Sequence, residues 1–302
     1  MERSDERDNC INDEYLSKIA EEVGDDMDLS DELYDKFVKM VYQKTGIYYE
    51  RNKKYYVQKR IERRAERLGM DNLNDYYRML KFSKDSTEFD RLINTLTINE
   101  TYFFRDYPQL RNFAEEVLPM VVREKNKKND RNIKIWSAAC STGEEPYTLS
   151  IILQEMLDEP ETWNMKIVAS DINTDVLHTA KIGLYEYRSV REVPPEYLEK
   201  YFIKKHESYL VKLGVKKPVT FMKINLMDSE AVGNITGCDF IFCRNCLIYF
   251  DDESRKTVLS GFYKSLNPGG IIFLGHSESV GRISSAYHMQ RIGDTIVYSK
   301  PK

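Results

Sequence analysis

The sequence predicts two folded parts, an all-helical N-terminal domain and an α/β domain built on a parallel sheet. Between residues 29 and 105, apolar side chains recur at helical spacing. Beyond the polar loop 124–132, short apolar runs alternate with amphipathic helices, which is typical of a parallel sheet covered on both faces. A length of 302 residues with 41% hydrophobic content is enough for two cores, so neither part needs disulfides for stability.

The first 30 residues form a separate acidic segment. Residues 1–32 contain thirteen Asp or Glu and three Lys or Arg, with few large apolar side chains. Such a composition buries too little apolar surface to fold alone, so residues 1–30 are predicted to be a flexible tail or a loosely docked helix. The chain start also lacks the apolar run of a signal peptide, and no segment reaches the ~18 to 20 apolar residues of a membrane span. We therefore expect a cytoplasmic protein.

Residues 31–105 are predicted to form the helical domain. The first helix begins after a capping serine, Ser30, and ends at Gly46, where a left-handed residue stops the helix. A basic helix follows at residues 50–70, and further helical segments lie between residues 72 and 97.

The basic helix carries eight Lys or Arg against three Glu between residues 50 and 70. Its apolar residues fall near helical spacing, which predicts an amphipathic helix with a basic outer face. Such a face is often only solvated. It also suits docking of an acidic partner, such as nucleic acid, a membrane surface or an acidic helix. Arg60, Arg63 and Arg64 are the candidate docking residues.

Residues 106–132 are predicted as a linker helix and loop, and residues 133–302 as the α/β domain. Strand, helix, strand at this spacing predicts a parallel sheet with right-handed crossovers. The chain ends in a predicted hairpin that turns at Gly293-Asp294. The predicted buried strands are 133–138, 166–171, 239–245 and 269–275.

Polar residues follow three of these strands, at the edge where open α/β sheets bind ligands. The first turn holds Gly143, Glu144 and Glu145, the second strand ends at Asp171, and Arg244-Asn245 follow the third. Two glutamates would repel a pyrophosphate, so a nucleoside with a cationic tail, such as S-adenosylmethionine (SAM), fits better than a dinucleotide. An alternative explanation for Glu144 or Glu145, taken singly, is that its carboxylate only stabilises the N-terminus of the following helix.

Cys243 and Cys246 form a C-x-x-C pair, which raises the possibility of a redox or zinc site. The five cysteines of the chain do not make a disulfide framework, and they are expected to be reduced. A zinc site would need two further ligands, yet the histidines are dispersed and no second C-x-x-C is present. No metal is therefore expected, and the two cysteines are predicted to pack as small apolar side chains.

Six ordered blocks resemble the chemotaxis receptor methyltransferase family, CheR. The resemblance runs from about residue 31 to the C-terminus. The blocks are LTINETYFFRD (96–106), IWSAACSTGEEPYTLSI (135–151), ASDINTDVL (169–177), INLMD (224–228), FIFCRNCLIYFD (240–251) and LNPGGIIFLGHSES (266–279).

This resemblance implies a SAM-dependent methyltransferase sheet of Rossmann-like type, preceded by the all-helical domain. It also implies a small antiparallel β-subdomain inserted at about 183–222, which in relatives can hold a peptide at the receptor C-terminus. The implied reaction is methyl transfer from SAM to glutamate side chains of a chemoreceptor, giving glutamate methyl esters and S-adenosyl-L-homocysteine.

The resemblance further implies the site residues. Arg105 is expected beside the SAM sulfonium, where a guanidinium can hold the incoming carboxylate; an ordinary ion pair with Asp106 or another acid is the alternative. Glu144 is preferred to Glu145 for the methionyl side because it is nearer Gly143. The implied cofactor-binding residues are Asn99, Thr101, Arg105, Glu144, Asp171, Asn225, Leu226, Arg244 and Asn245.

On this interpretation the partners are the acidic cytoplasmic helices of chemoreceptors, which the basic helix would dock, and the protein is expected to be a monomer. Nucleic acid and membrane insertion are not expected. Two alternatives stay open: a SAM-dependent methyltransferase with another acceptor, such as RNA, and a SAM-binding signalling module without catalysis. A broad basic excess is lacking, which argues against RNA, since the formal net charge is −4.

Overall fold

A computed structural model describes residues 29–281 and 283–302 of the chain. The acidic tail predicted for residues 1–30 lies outside the described residues except for its last two. No helix in the described ranges is both long and apolar enough to cross a membrane.

The helical domain consists of α1 (Asp31–Thr45), α2 (Lys54–Arg67), α3 (Leu73–Phe82) and α4 (Thr87–Leu96). As predicted, the Ser30 hydroxyl caps α1 by accepting a hydrogen bond from the Leu33 amide at 3.3 Å. The helix ends at Gly46, whose φ of 71° is the left-handed conformation that glycine adopts without steric cost. The side chains at the centre of this domain are fully buried and include Tyr34, Phe37, Ile61, Tyr76 and Leu92.

A broken helix connects the two domains. It comprises α5 (Tyr107–Asn112), a π-helical turn (Phe113–Val117) and α6 (Leu118–Lys127). Phe113 lies within this turn and makes edge-to-face contacts with Phe240, Phe242 and Phe273 at centroid distances of 5.1 to 5.5 Å. These contacts attach the connection to the face of the main sheet.

The main sheet has seven strands in the order β6-β2-β1-β7-β8-β10-β9. The first five are parallel, and the C-terminal hairpin adds β10 and β9 in antiparallel pairing. The strand bounds are β1 Asn132–Ala138, β2 Asn164–Asp171, β3 Leu184–Glu186, β4 Phe202–Lys205, β5 Ser208–Val211, β6 Val219–Lys223, β7 Cys238–Cys243, β8 Leu266–Leu274, β9 His288–Ile292 and β10 Thr295–Ser299.

Strand β1 lies at the point where the strand order reverses. Trp136 of β1 is in register with Val168 of β2 on one side and with Ile241 of β7 on the other. The carboxyl ends of these three strands therefore meet at one edge, which is the expected ligand position. The helices that cover the sheet include α7 (Glu144–Met156), α8 (Thr174–Ile182), α12 (Ser229–Gly233) and α13 (Asp252–Ser265).

A separate antiparallel sheet with the order β3-β5-β4 lies between α8 and β6. It is accompanied by the short helices α9 (Tyr187–Val190), α10 (Pro195–Tyr201) and α11 (Leu213–Lys216). The family resemblance implied an insertion to about residue 222, but β6 pairs with β2 in the main sheet. The insertion therefore ends before β6; an alternating pattern does not reveal which sheet a strand joins.

Candidate active site

A cleft lies between the helical domain and the carboxyl edge of the main sheet. Its volume, including the open entrance, is about 1150 Å³. This is enough space for a nucleoside and for a side chain that enters from a partner. Eight of the nine implied cofactor-binding residues line it: Asn99, Thr101, Arg105, Asp171, Asn225, Leu226, Arg244 and Asn245.

The segment after α4 crosses the carboxyl edge of the sheet and forms one wall of the cleft. The Ser141 hydroxyl donates to the Asn99 carbonyl at 2.9 Å, which ties this segment to the turn after β1. Arg105 is held at its end, where Nη1 donates to the Glu100 carbonyl at 2.7 Å and the guanidinium lies 5.7 Å from the Tyr102 ring centroid. Arg105 does not form the alternative ion pair with Asp106. The Asp106 carboxylate pairs instead with Arg244 and His276.

The turn after β1 approaches α8 closely at Gly143. This glycine has a φ of 94°, and a Cβ atom there would lie 2.8 Å from the Cβ of Ala180. Only glycine fits this position without displacing the turn. The close packing fixes where α7 begins, and with it the direction of the first amides and of the two glutamates that follow.

Asp171 ends β2 inside the cleft and is 7% exposed. One of its oxygens accepts from the Ser141 amide and the other from the Asn173 amide, both at 2.9 Å. Burial raises the pKa of Asp171, while these amide donors act in the opposite direction. The carboxylate is held rigidly, and each oxygen keeps a lone pair with which to accept a hydroxyl.

The two glutamates of the first turn have different surroundings. Glu144 accepts from the Thr142 hydroxyl at 2.6 Å, and burial raises its pKa to about 6. Glu145 lines the cleft and accepts from the Ser137 hydroxyl at 2.7 Å. Glu145, and not the preferred Glu144, is therefore the glutamate that lines the cleft, because successive helical residues point about 100° apart and nearness to Gly143 does not fix the phase.

Arg244 is the centre of a buried ionic cluster. Its Nη2 lies 3.2 Å from Asp106 and donates to the Arg105 carbonyl at 2.7 Å, while Nη1 lies 3.4 Å from Glu145. The side chains of Arg244, Asp106 and Glu145 are 4%, 11% and 13% exposed. Arg244 thus holds the backbone of Arg105 against the sheet edge.

The turn after β7 is oriented by a glutamate that sequence reasoning did not select. The carboxylate of Glu278 accepts from the amides of Asn245, Ile248 and Gly275 at 2.7 to 3.2 Å. Asn245 itself has a φ of 57°. Glu278 lies within the block 266–279 that resembles the family, so the sequence did point to this segment. A carboxylate after the last parallel strand, however, gives no indication of which turn it contacts.

Apolar side chains also line the cleft. Ile172, Ile224 and Leu226 line it, together with residues from the helical domain such as Ile47. The Asn225 amide group donates to the Lys44 carbonyl at 2.6 Å and accepts from the Met227 amide at 3.1 Å. Its side chain therefore joins the two domains, and the apolar neighbours are what a flat base would contact.

The backbone is strained around the cleft. Left-handed conformations of non-glycine residues cost about 1 kcal/mol or more each and cluster at functional sites. Five such residues flank or line the cleft, with φ between 49° and 61°: Phe104, Asp106, Ala139, Ser141 and Asn245.

Cys243 and Cys246 are both buried and unpaired. The hydrogen bond with Cys246 and burial both raise the pKa of the Cys243 thiol, which disfavours the thiolate that redox or metal chemistry requires. Cys246 lines the cleft as part of its wall.

The basic helix α2 differs from the prediction at one position. Arg63 is exposed and Arg60 is half-buried, with its guanidinium 3.5 Å from the Tyr56 ring centroid. Arg64 is 7% exposed and makes a two-pronged ion pair with Glu88 at 2.6 and 2.9 Å. The assignment of Arg64 to the docking face is therefore wrong, because this guanidinium is committed inside the helical domain.

Comparisons with known proteins agree with this architecture. Residues 99–295 match the family model described as the SAM binding domain of CheR methyltransferase, and residues 32–97 match the model of its all-alpha domain. "Chemotaxis protein methyltransferase 2" of Vibrio cholerae is 42% identical over 274 residues, covering 90% of this chain and 94% of the relative. "Chemotaxis protein methyltransferase" of Salmonella typhimurium is 34% identical over 274 residues, covering 89% and 90%.

Proposed function

The chain belongs to the CheR methyltransferase family, and we propose that it methylates glutamate side-chain carboxylates of chemoreceptors, using SAM. The observation that carries this proposal is the cleft itself, which Arg105 lines together with the Asp171 and Glu145 carboxylates. Carboxylates suit a ligand with a diol and a cationic tail, and a guanidinium suits a carboxylate acceptor.

The cleft residues fit SAM. Asp171 would accept hydrogen bonds from the ribose hydroxyls with its remaining lone pairs, and Glu145, which lines the same cleft, would offer negative charge to the cationic tail. The apolar wall of Ile172, Ile224 and Leu226 offers a surface for adenine. Asn99, Thr101 and Asn245 complete the proposed set of cofactor contacts.

When bound, SAM supplies an electrophilic methyl group on a positively charged sulfur, and its transfer leaves S-adenosyl-L-homocysteine. The acceptor glutamate has a reference pKa near ~4.3, so it is ionised at neutral pH and the site needs no general base. The task of the protein is then to orient and desolvate the acceptor. Arg105 performs it by a bidentate grip on the carboxylate; the Glu100 carbonyl holds its guanidinium, and Arg244 holds its backbone.

Receptor docking is assigned to the exposed basic face of α2. Arg60 and Arg63 offer positive charge to the acidic helices that surround the target glutamates, which speeds association more than it strengthens binding. Charge reversal at both positions should lower kcat/KM for receptor by about tenfold at low salt and leave SAM affinity unchanged. Unchanged methylation would contradict this role.

The remaining partner is proposed from the family resemblance. An exposed edge of the sheet β3-β5-β4 is proposed to bind a receptor C-terminal peptide by strand addition. The protein is proposed to act as a cytoplasmic monomer, with no metal.

Transfer of radiolabelled methyl from SAM tests the proposal. Receptor-bearing membranes and structured RNA serve as parallel acceptors, and methanol released by alkali reports ester formation. Alkali-labile label on the receptor alone is the expected result. Stable label, or label on RNA, would identify another acceptor, and SAM binding without any label would identify a signalling module without catalysis.

A further inference from the structure

The charge of this chain is divided between two unequal parts. Residues 1–28 contain eleven Asp or Glu and three Lys or Arg, a net charge of −8. The whole chain has a net charge of −4, so residues 29–302 carry −4 minus −8, or +4. A strongly acidic segment is therefore joined to a weakly basic body, and the two attract each other.

The structure shows where this acidic segment joins the body. Leu29 is fully buried in the helical domain, which fixes the point at which residues 1–28 begin. Asp31, the first residue of α1, pairs with Lys54, the first residue of α2, at 2.6 Å. The acidic segment is thus tethered beside the N-terminal end of the basic helix.

The basic face of α2, defined here as Arg60, Arg63 and Arg67, lies within reach of that tether. These three guanidiniums make no ion pair with any carboxylate in ranges 29–281 and 283–302. The helix has 14 residues and so is roughly 20 Å long at 1.5 Å per residue. Nine extended residues span up to about 30 Å, so the acids within 20–28 reach the whole face.

We propose that the acidic segment 1–28 binds the basic face of α2 within the same molecule and competes there with the acidic receptor helix. The competition rests on the proposed function; the intramolecular contact does not. Exposed ion pairs are weak individually and screened by salt, but a short tether raises the effective concentration to the millimolar range. The segment therefore acts as a partial, salt-sensitive brake on receptor docking.

Paramagnetic relaxation in the full chain tests the contact. A nitroxide on Cys10 labels the acidic segment selectively, since Cys140, Cys238, Cys243 and Cys246 are buried. Amide signals of the basic face should broaden at low salt and recover at about 1 M salt, where the Debye length is about 3 Å. They should also recover in the Arg60→Glu/Arg63→Glu double variant. Arg123→Glu, on the exposed side of α6, is the matched control and should keep the broadening.

Equal broadening across the helical domain, or broadening that survives charge reversal, would overturn the contact. A second variant, E21Q/E22Q/D25N/D26N, tests the competition. It should lose the broadening and lower the KM for receptor about two- to tenfold at low salt, with kcat unchanged. An unchanged KM would overturn the competition. Broadening without any receptor methylation would uphold the contact and reject the proposed function, so the two failures are distinguishable.

Discussion

Replacing Asp106 by asparagine tests the view that the buried ionic cluster holds the site together. The side chains of Arg244 and Asp106 are 4% and 11% exposed, and their charged atoms lie 3.2 Å apart. Removing one partner of a buried pair costs about 3 to 5 kcal/mol, because the other charge stays buried. Glu145 still faces Arg244 at 3.4 Å, so we expect the lower limit, about 3 kcal/mol of unfolding free energy.

Thermal unfolding measures this effect. A loss of about 3 kcal/mol lowers the Tm of a domain of this size by about 6 to 12 °C. Asp75→Asn is the matched control, since Asp75 pairs with Arg78 at 3.4 Å while the two side chains are 59% and 72% exposed. That change should cost about 0.5 kcal/mol or less. Equal Tm shifts for the two variants would refute the argument that burial decides the energy of these pairs.

Three further predictions concern single positions. Burial raises the pKa of Glu144 from 4.5 to about 6, so the native state binds the proton more tightly and stability falls as pH rises through that range. Glu144→Gln should abolish this fall, about 2 kcal/mol between pH 4 and 7, in denaturant titrations at both pH values. Arg64→Ala should lower the free energy of unfolding by about 3 kcal/mol, and Arg63→Ala should lower it by under about 0.5 kcal/mol, both measured by denaturant titration. Gly143→Ala should weaken SAM binding at least tenfold by calorimetry, because the new Cβ meets Ala180; unchanged affinity would show that the turn is free to shift.

Much of the architecture is readable from the sequence because strong local signals coincide with the fold. The first helix has a serine cap and a glycine stop, and the parallel strands β1 and β7 are predominantly apolar, as expected of strands that are buried on both faces. The carboxyl-edge rule then brings Asp171, Arg244 and Asn245 together without knowledge of their sequence separation.

The errors lie where geometry depends on distant contacts. Arg64 is buried by an ion pair with Glu88, 24 residues away, and helical periodicity does not identify that partner. The choice between Glu144 and Glu145 depends on helix phase at the first turn, which Gly143 and its contact with α8 determine. The extent of the insertion depends on which sheet β6 joins, and both sheets accept the same alternating pattern.

Arg105 and Arg191 offer a direct test of the central claim, that a guanidinium in the cleft orients the acceptor carboxylate. Both guanidiniums lie beside the ring of Tyr102, at 5.7 and 5.3 Å from its centroid, but Arg105 lines the cleft and Arg191 is exposed. The measurement is kcat for receptor methylation in the two alanine variants, with the SAM dissociation constant measured on the same samples. We expect Arg105→Ala to lower kcat about a hundredfold or more with a smaller change in SAM affinity, and Arg191→Ala to change neither more than about twofold. An equal kcat in the two variants would contradict the account.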